Sequence, residues 1–138
     1  MALDWSQPTK SQTQIFTMNT EQIKVTIHTL YTEVFNNGKA DLLASLVSGP
    51  YIQHNPMFPN GTGALEGFLK QAGSLPNQIK RIAIQEDLAF VHVLYPEWAG
   101  KPHAAVDIFR FDNEAKIVEH WDVIQPVQEE TASGNPMI

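Results

Sequence analysis

Residues 103–125, HAAVDIFRFDNEAKIVEHWDVIQ, contain two runs rich in β-branched and aromatic residues, interrupted by Asp112-Asn113-Glu114. Such runs suit half-buried strands and the polar triplet suits a tight reversal, so the segment predicts an antiparallel hairpin. Side chains alternate in direction along a strand. Ala105, Asp107, Phe109 and Phe111 therefore share one face of the first strand, and Val106, Ile108 and Arg110 share the other. On the second strand His120, Asp122 and Ile124 form one set, and Glu119, Trp121 and Val123 the other. Asp107 stands out. It lies between Ala105 and Phe109 on a mostly apolar face, where a carboxylate costs free energy unless it is paired or protonated.

The rest of the chain supplies partners for that hairpin. Residues 1–19 read as a polar arm, mobile or loosely docked. Thr20-Glu21 starts a helix, a capping hydroxyl followed by an acid in the first turn. Ile23, Ile27, Leu30, Tyr31 and Val34 then recur at helical spacing, and Asn36-Asn37-Gly38 ends the run. Lys39 to Val47 predicts a short second helix with Leu42, Leu43 and Leu46 inward, stopped by Gly49-Pro50. Tyr51 to His54 is a short extended run closed by Asn55-Pro56. Thr62 to Ala72 predicts a third helix, with Leu65, Phe68 and Leu69 on one side. Gln78–Gln85 and Leu88–Tyr95 read as strands, and Pro96 to Pro102 as a turn carrying Trp98. Residues 20–127 form one domain and 128–138 a polar tail. Helices first and antiparallel strands afterwards define an α+β class, here N-terminal helices packed on a strongly curved, mostly antiparallel sheet that encloses a cone.

Composition narrows the function. The chain has 138 residues, 43% apolar and 17% charged, as an ordinary globular domain does. Its formal net charge of −6 argues against a nucleic-acid partner, because phosphate binding needs a basic surface. With no cysteine, disulfide and thiolate chemistry are excluded. No apolar run reaches membrane-spanning length and the first residues do not form a secretory signal, so a cytoplasmic location and no membrane partner are expected.

YIQHNP (Tyr51 to Pro56) and VDIFRFDNEAKIVEHWD together resemble the SnoaL-like polyketide cyclases. These belong to the nuclear-transport-factor-2-like superfamily, which also contains ketosteroid isomerase. The resemblance covers roughly Glu21 to Pro126. It implies a homodimer packed through the outer sheet face, with Trp121 and Ile108 there, and a cofactor-independent reaction on a small hydrophobic molecule. The isomerase strand of the type IDHFRF matches Val106 to Phe111, which implies a protonated, oxyanion-holding role for Asp107. The isomerase tyrosine seven residues before a glycine matches Tyr31, seven before Gly38. The isomerase base falls on Asn55, an amide that takes no proton at neutral pH, with His54 beside it as the substitute.

The cyclases work with a carboxylate on the last strand across from a polar residue on its neighbour, and Asp122 and Asp107 match that arrangement. The resemblance thus implies catalytic roles for Asp107, Asp122, His54 and His120. It implies a pocket lined by Tyr31, Phe35, Asn55, Phe90, His92, Leu94, Phe109 and Ile124. The chemistry implied is enolisation, aldol-type cyclisation or isomerisation of a carbonyl compound; the alternative is a binding module that only holds such a ligand. No cofactor is expected. No metal is expected either: the histidines lack close ligand spacing, and only a set such as His54, His120 and Asp122 could be assembled across strands. An ion pair between His120 and Asp122 is the expected contact.

Overall fold

The computed structural model describes residues 10–138, with side chains from residue 19 onward. Helix α1 (Lys10–His28) runs straight into a π-helical segment, Thr29–Asn36. It therefore begins ten residues ahead of the Thr20 start signal; the first nine residues of the expected arm lie outside the described residues. The wider turn shows in the Asn37 N–H, which reaches back five residues to the Thr32 carbonyl at 2.9 Å. Segments of this kind are frequent at functional sites. This one buries Leu30, Tyr31, Val34 and Phe35 together. Its exit depends on Gly38, whose φ is +71° and where a Cβ would lie 2.1 Å from the Gly73 carbonyl oxygen.

The expected second helix is shorter than its apolar pattern suggests. Ala40–Leu42 is a single 3₁₀ turn, and α2 covers only Leu43–Leu46. Leu43 is buried, whereas Leu42 faces outward, 38% exposed, contrary to the inward assignment. Val47, Gly49 and Pro50 belong instead to strand β1 (Val47–Gln53), an edge strand where a proline is tolerated. Helix α3 (Gly63–Ala72) follows, and then β2 (Gln78–Gln85), β3 (Leu88–Trp98), β4 (Lys101–Phe111) and β5 (Ile117–Pro126).

Among the described residues these strands form one sheet in the order β1-β5-β4-β3-β2, with β1 parallel to β5 and every other pair antiparallel. The fold is the expected α+β cone, helices against a strongly curled sheet. The β3–β4 connection is tighter than expected. β3 runs on through Pro96 to Trp98, which pairs with Lys101 across Ala99-Gly100. Both turn residues have positive φ, 49° and 81°, as a two-residue hairpin requires.

The concave face carries Ala89, Val91, Val93 and Tyr95 from β3 and Ala105, Phe109 and Phe111 from β4. They pack on Ile23, Ile27, Leu30, Tyr31 and Val34 from the first helix and on Leu43, Leu69 and Leu75. Each fully buried aliphatic side chain contributes about 1.5–3 kcal/mol. The face assignment of β3 corrects the expectation for Phe90, His92 and Leu94. Val91 stands opposite Asp107 in the ladder, and directly opposed residues share a face, so Phe90, His92 and Leu94 point away from the cone. Phe90 is 36% exposed, and His92 contacts Arg81 on β2.

Candidate active site

Asp107, His120 and Asp122 meet at the bottom of a cavity enclosing about 570 Å³ of empty space, its open mouth included. The ladder explains the meeting: Asp107 faces Asp122, and Phe109 faces His120, across β4 and β5. The apolar walls come from Leu30, Phe35, Phe58, Trp98, Phe109 and Ile124 among others. Among the described residues that line it, none is a lysine or arginine.

Asp107 is 4% exposed and fully engaged. Its Oδ2 accepts hydrogen bonds from the Tyr31 hydroxyl and from the Tyr95 hydroxyl, the latter at 2.6 Å. Its Oδ1 lies 3.0 Å from His120 Nε2. Burial first, and then the charge of Asp107, push both phenols well above their usual range, so they stay protonated and act as donors. With Oδ2 occupied by two donors, any proton on Asp107 sits on Oδ1, against His120.

Asp122 has different supports. Its Oδ2 accepts the Asn55 side-chain N–H at 2.7 Å and lies 3.8 Å from His120 Nε2. Burial raises its pKa; the Asn55 bond and His120 oppose that rise, and the nearby Asp107 adds to it. The orientation of Asn55 is fixed by its other end, because its Oδ1 accepts the Met57 backbone N–H at 2.8 Å. At the position of the isomerase base, Asn55 is a donor holding a carboxylate.

Four expected site residues, His54, Phe90, His92 and Leu94, lie outside the cavity, and Tyr31 changes its role. His54 is not in the cavity. It sits on the convex face, half exposed, bonded to Glu119 at 2.8 Å and stacked on Trp121 with ring centroids 4.9 Å apart. Its place directly after the last residue of β1 explains this, since Gln53 is the neighbour that turns inward. His92 is outside for the reason of parity given above. Tyr31 lies beneath the cavity and is 1% exposed, its hydroxyl spent on Asp107. The expected His120–Asp122 pair is present at 3.8 Å, and His120 lies nearer still to Asp107, at 3.0 Å.

Three residues that the sequence did not single out complete the site. Tyr95 pairs with His103 and shares the inward face of β3 with Val91, and its phenol reaches Asp107 along that face. Gln53 and Tyr51 stand inside the quoted YIQHNP run, and both line the cavity. Tyr51 is buried with φ of 45°, a conformation rare for a bulky residue, and it lies where the β1 register with β5 shifts. Asp107, His120 and Asp122 also offer ligand atoms within 4.8 Å of one another, a set that could take a divalent cation with His54 excluded from it.

No family model and no curated protein matches the chain. Solved structures do match. An NTF2-like protein of unknown function from Burkholderia xenovorans aligns with a TM-score of 0.68 at 17% identity, over 84% of this chain and 92% of that one. A steroid delta-isomerase from Pseudomonas aeruginosa gives 0.60 at 15% identity, over 84% and 82%. An epoxide hydrolase of the LEH-like kind from M. tuberculosis gives 0.61 at 14%, over 77% and 84%. The chain has the nuclear-transport-factor-2-like fold. Proteins sharing that fold thus carry an isomerase name in one case and a hydrolase name in another. Among the described residues, no helix is long and apolar enough to cross a membrane.

Proposed function

We propose that the chain is an enzyme that moves protons on a small, apolar carbonyl compound without a cofactor. One observation carries this reading: a histidine stands between two carboxylates inside a mostly apolar cavity. Enolisation needs a base beside the acidic carbon and a donor beside the oxygen that gains charge. Asp122 is the base, since its carboxylate borders the cavity and burial makes it a better proton acceptor than a free aspartate. His120 is the donor to the enolate oxygen through Nε2, with the Asp107 carboxylate beside that same nitrogen at 3.0 Å as counter-charge. Tyr31 and Tyr95 serve Asp107 and do not touch the substrate. Proton–deuterium exchange next to the carbonyl of cyclic enones and β-keto esters, followed by NMR in heavy water, tests the assignment. Asp122→Asn should lower the exchange rate by roughly 10²–10⁴-fold.

A second reading, a module that binds such compounds without turning them over, has one observation in its favour. Among the described residues every buried side-chain nitrogen and oxygen already has a protein partner, as in a site built to stay at rest. Saturable binding with no exchange by the wild type would favour it. We also propose a homodimer through the convex sheet face, where Ile108 pairs with Trp121 and Val106 with the exposed Val123. Light scattering on the wild type and Trp121→Glu, which should be monomeric, tests it.

A further inference from the structure

We infer that Gln53 is a positioning residue that locks His120 in the Nδ1–H tautomer and leaves Nε2 as the atom that gives and takes the working proton. The argument needs only donors and acceptors. The Asn55 backbone N–H can only donate, and it reaches the Gln53 side-chain oxygen, Oε1, at 3.0 Å. That bond fixes which way the Gln53 amide points. The same Oε1 lies 2.6 Å from His120 Nδ1. An amide oxygen accepts and never donates, so Nδ1 carries a hydrogen. The opposite end of Gln53 agrees with this orientation: burial pushes the Tyr51 phenol well above its usual range, and a hydrogen bond from the Gln53 side chain opposes that rise, as an N–H donor does.

With Nδ1–H committed to Gln53, the second ring nitrogen is the only one free to change state. Nε2 faces Asp107 Oδ1 at 3.0 Å and Asp122 Oδ2 at 3.8 Å. In the absence of Gln53 this surrounding would select the opposite tautomer, because two carboxylates attract the hydrogen to Nε2. Gln53 thus holds the ring against the preference of its other neighbours. Phe109, whose ring centroid lies 4.9 Å from that of His120, closes one side of the imidazole and limits its rotation. The tautomer follows from this geometry alone. The working role of Nε2 rests on the acid/base reading above.

The test is ¹⁵N–¹H NMR of ring-labelled His120 in the full chain, assigned with His120→Gln and followed as pH rises. In the wild type the hydrogen lost on neutralisation should come from Nε2, leaving Nδ1–H. In Gln53→Leu it should come from Nδ1, leaving Nε2–H on Asp107. Gln53→Glu, which keeps an acceptor oxygen, should restore the wild-type pattern. Loss of the Nδ1 hydrogen first in the wild type overturns the inference without any variant, and so does an unchanged tautomer in Gln53→Leu. Exchange activity is a separate readout: a confirmed tautomer in a protein that never catalyses exchange would leave the Gln53 lock standing and remove the enzyme.

Discussion

Asn55 donates its side-chain N–H to Asp122 Oδ2 at 2.7 Å while its own Oδ1 is held by the Met57 backbone N–H at 2.8 Å. The amide therefore cannot turn over, and it favours the ionised form of Asp122. Asn55→Ala should let the Asp122 pKa rise further, since burial would then act with less opposition. A base works only when deprotonated, so the low-pH limb of the exchange profile should move to higher pH. A pH–rate profile of the variant beside wild type checks this; a limb that stays in place would remove Asn55 from any part in tuning Asp122.

The same shift has a consequence for stability. The folded pKa of Asp122 is raised above its unfolded value, so its contribution is fully present below the unfolded pKa and is lost as pH rises through the folded one. Asp122→Asn, which removes the charge, should accordingly have a higher Tm than wild type at pH 7. The difference should shrink toward about pH 4, near the unfolded carboxyl value. Thermal melts at several pH values measure it, and a variant less stable at pH 7 would contradict the sign.

Tyr31 and Tyr95 converge on one oxygen of Asp107. Removing either hydroxyl leaves a buried acceptor short of a donor, at a cost of roughly 1–3 kcal/mol. Tyr95→Phe and Tyr31→Phe should each lower the urea midpoint by that amount, and the double variant should not be additive because the two share an acceptor. Unfolding by far-UV circular dichroism reads the result.

Gly38 joins the end of the first helix to the end of α3. Its φ of +71° and the Gly73 carbonyl 2.1 Å from a would-be Cβ leave no room for a side chain. Gly38→Ala should cost at least about 2 kcal/mol in the same unfolding measurement, through backbone strain and displacement of a rigid neighbour. A variant as stable as wild type would mean the two helix ends move apart freely.

Among the described residues, the cavity wall has two carboxylates and no lysine or arginine. An anionic ligand would be desolvated beside two carboxylates, with only His120, already paired to both of them, to answer its charge. A neutral ketone should therefore bind at least about tenfold more tightly than its carboxylate analogue of similar size, a difference of about 1.4 kcal/mol. Calorimetric titration of such a pair at pH 7 decides the matter.

The sequence revealed most where alternation was clean. On β4 and β5 the polar residues interrupt an apolar rhythm, so Asp107 stands out within one set of its strand and His120 and Asp122 share one set of theirs; the SnoaL-like resemblance, not the rhythm, joins the two sets on one face. β3 offered no such rhythm. LAFVHVLY is apolar at nearly every position, so nothing local separates Val91 and Tyr95 inside from Phe90 and Leu94 outside. The proline and glycine signals around Trp98 suggested a long turn and hid the two-residue reversal that sets the register. His54 was misplaced for another reason. The β1 irregularity around Tyr51 is a long-range effect of pairing with β5, and it decides that Gln53 turns inward and His54 outward. The helix stripe from Ile23 to Val34 was readable. Its π-helical segment was not, because the Tyr31 hydroxyl is directed by Asp107, 76 residues away in the chain.

The central claim is that protons move between this pocket and carbon. Its most direct measurement is deuterium incorporation next to the carbonyl in the enone and β-keto ester panel, with wild type, Asp122→Asn and Asp107→Asn side by side at equal ligand saturation. Incorporation by wild type that falls roughly 10²-fold or more in Asp122→Asn, and falls also in Asp107→Asn, is the predicted result. Bound ligand with no incorporation above the buffer rate, or equal rates in all three proteins, would contradict it.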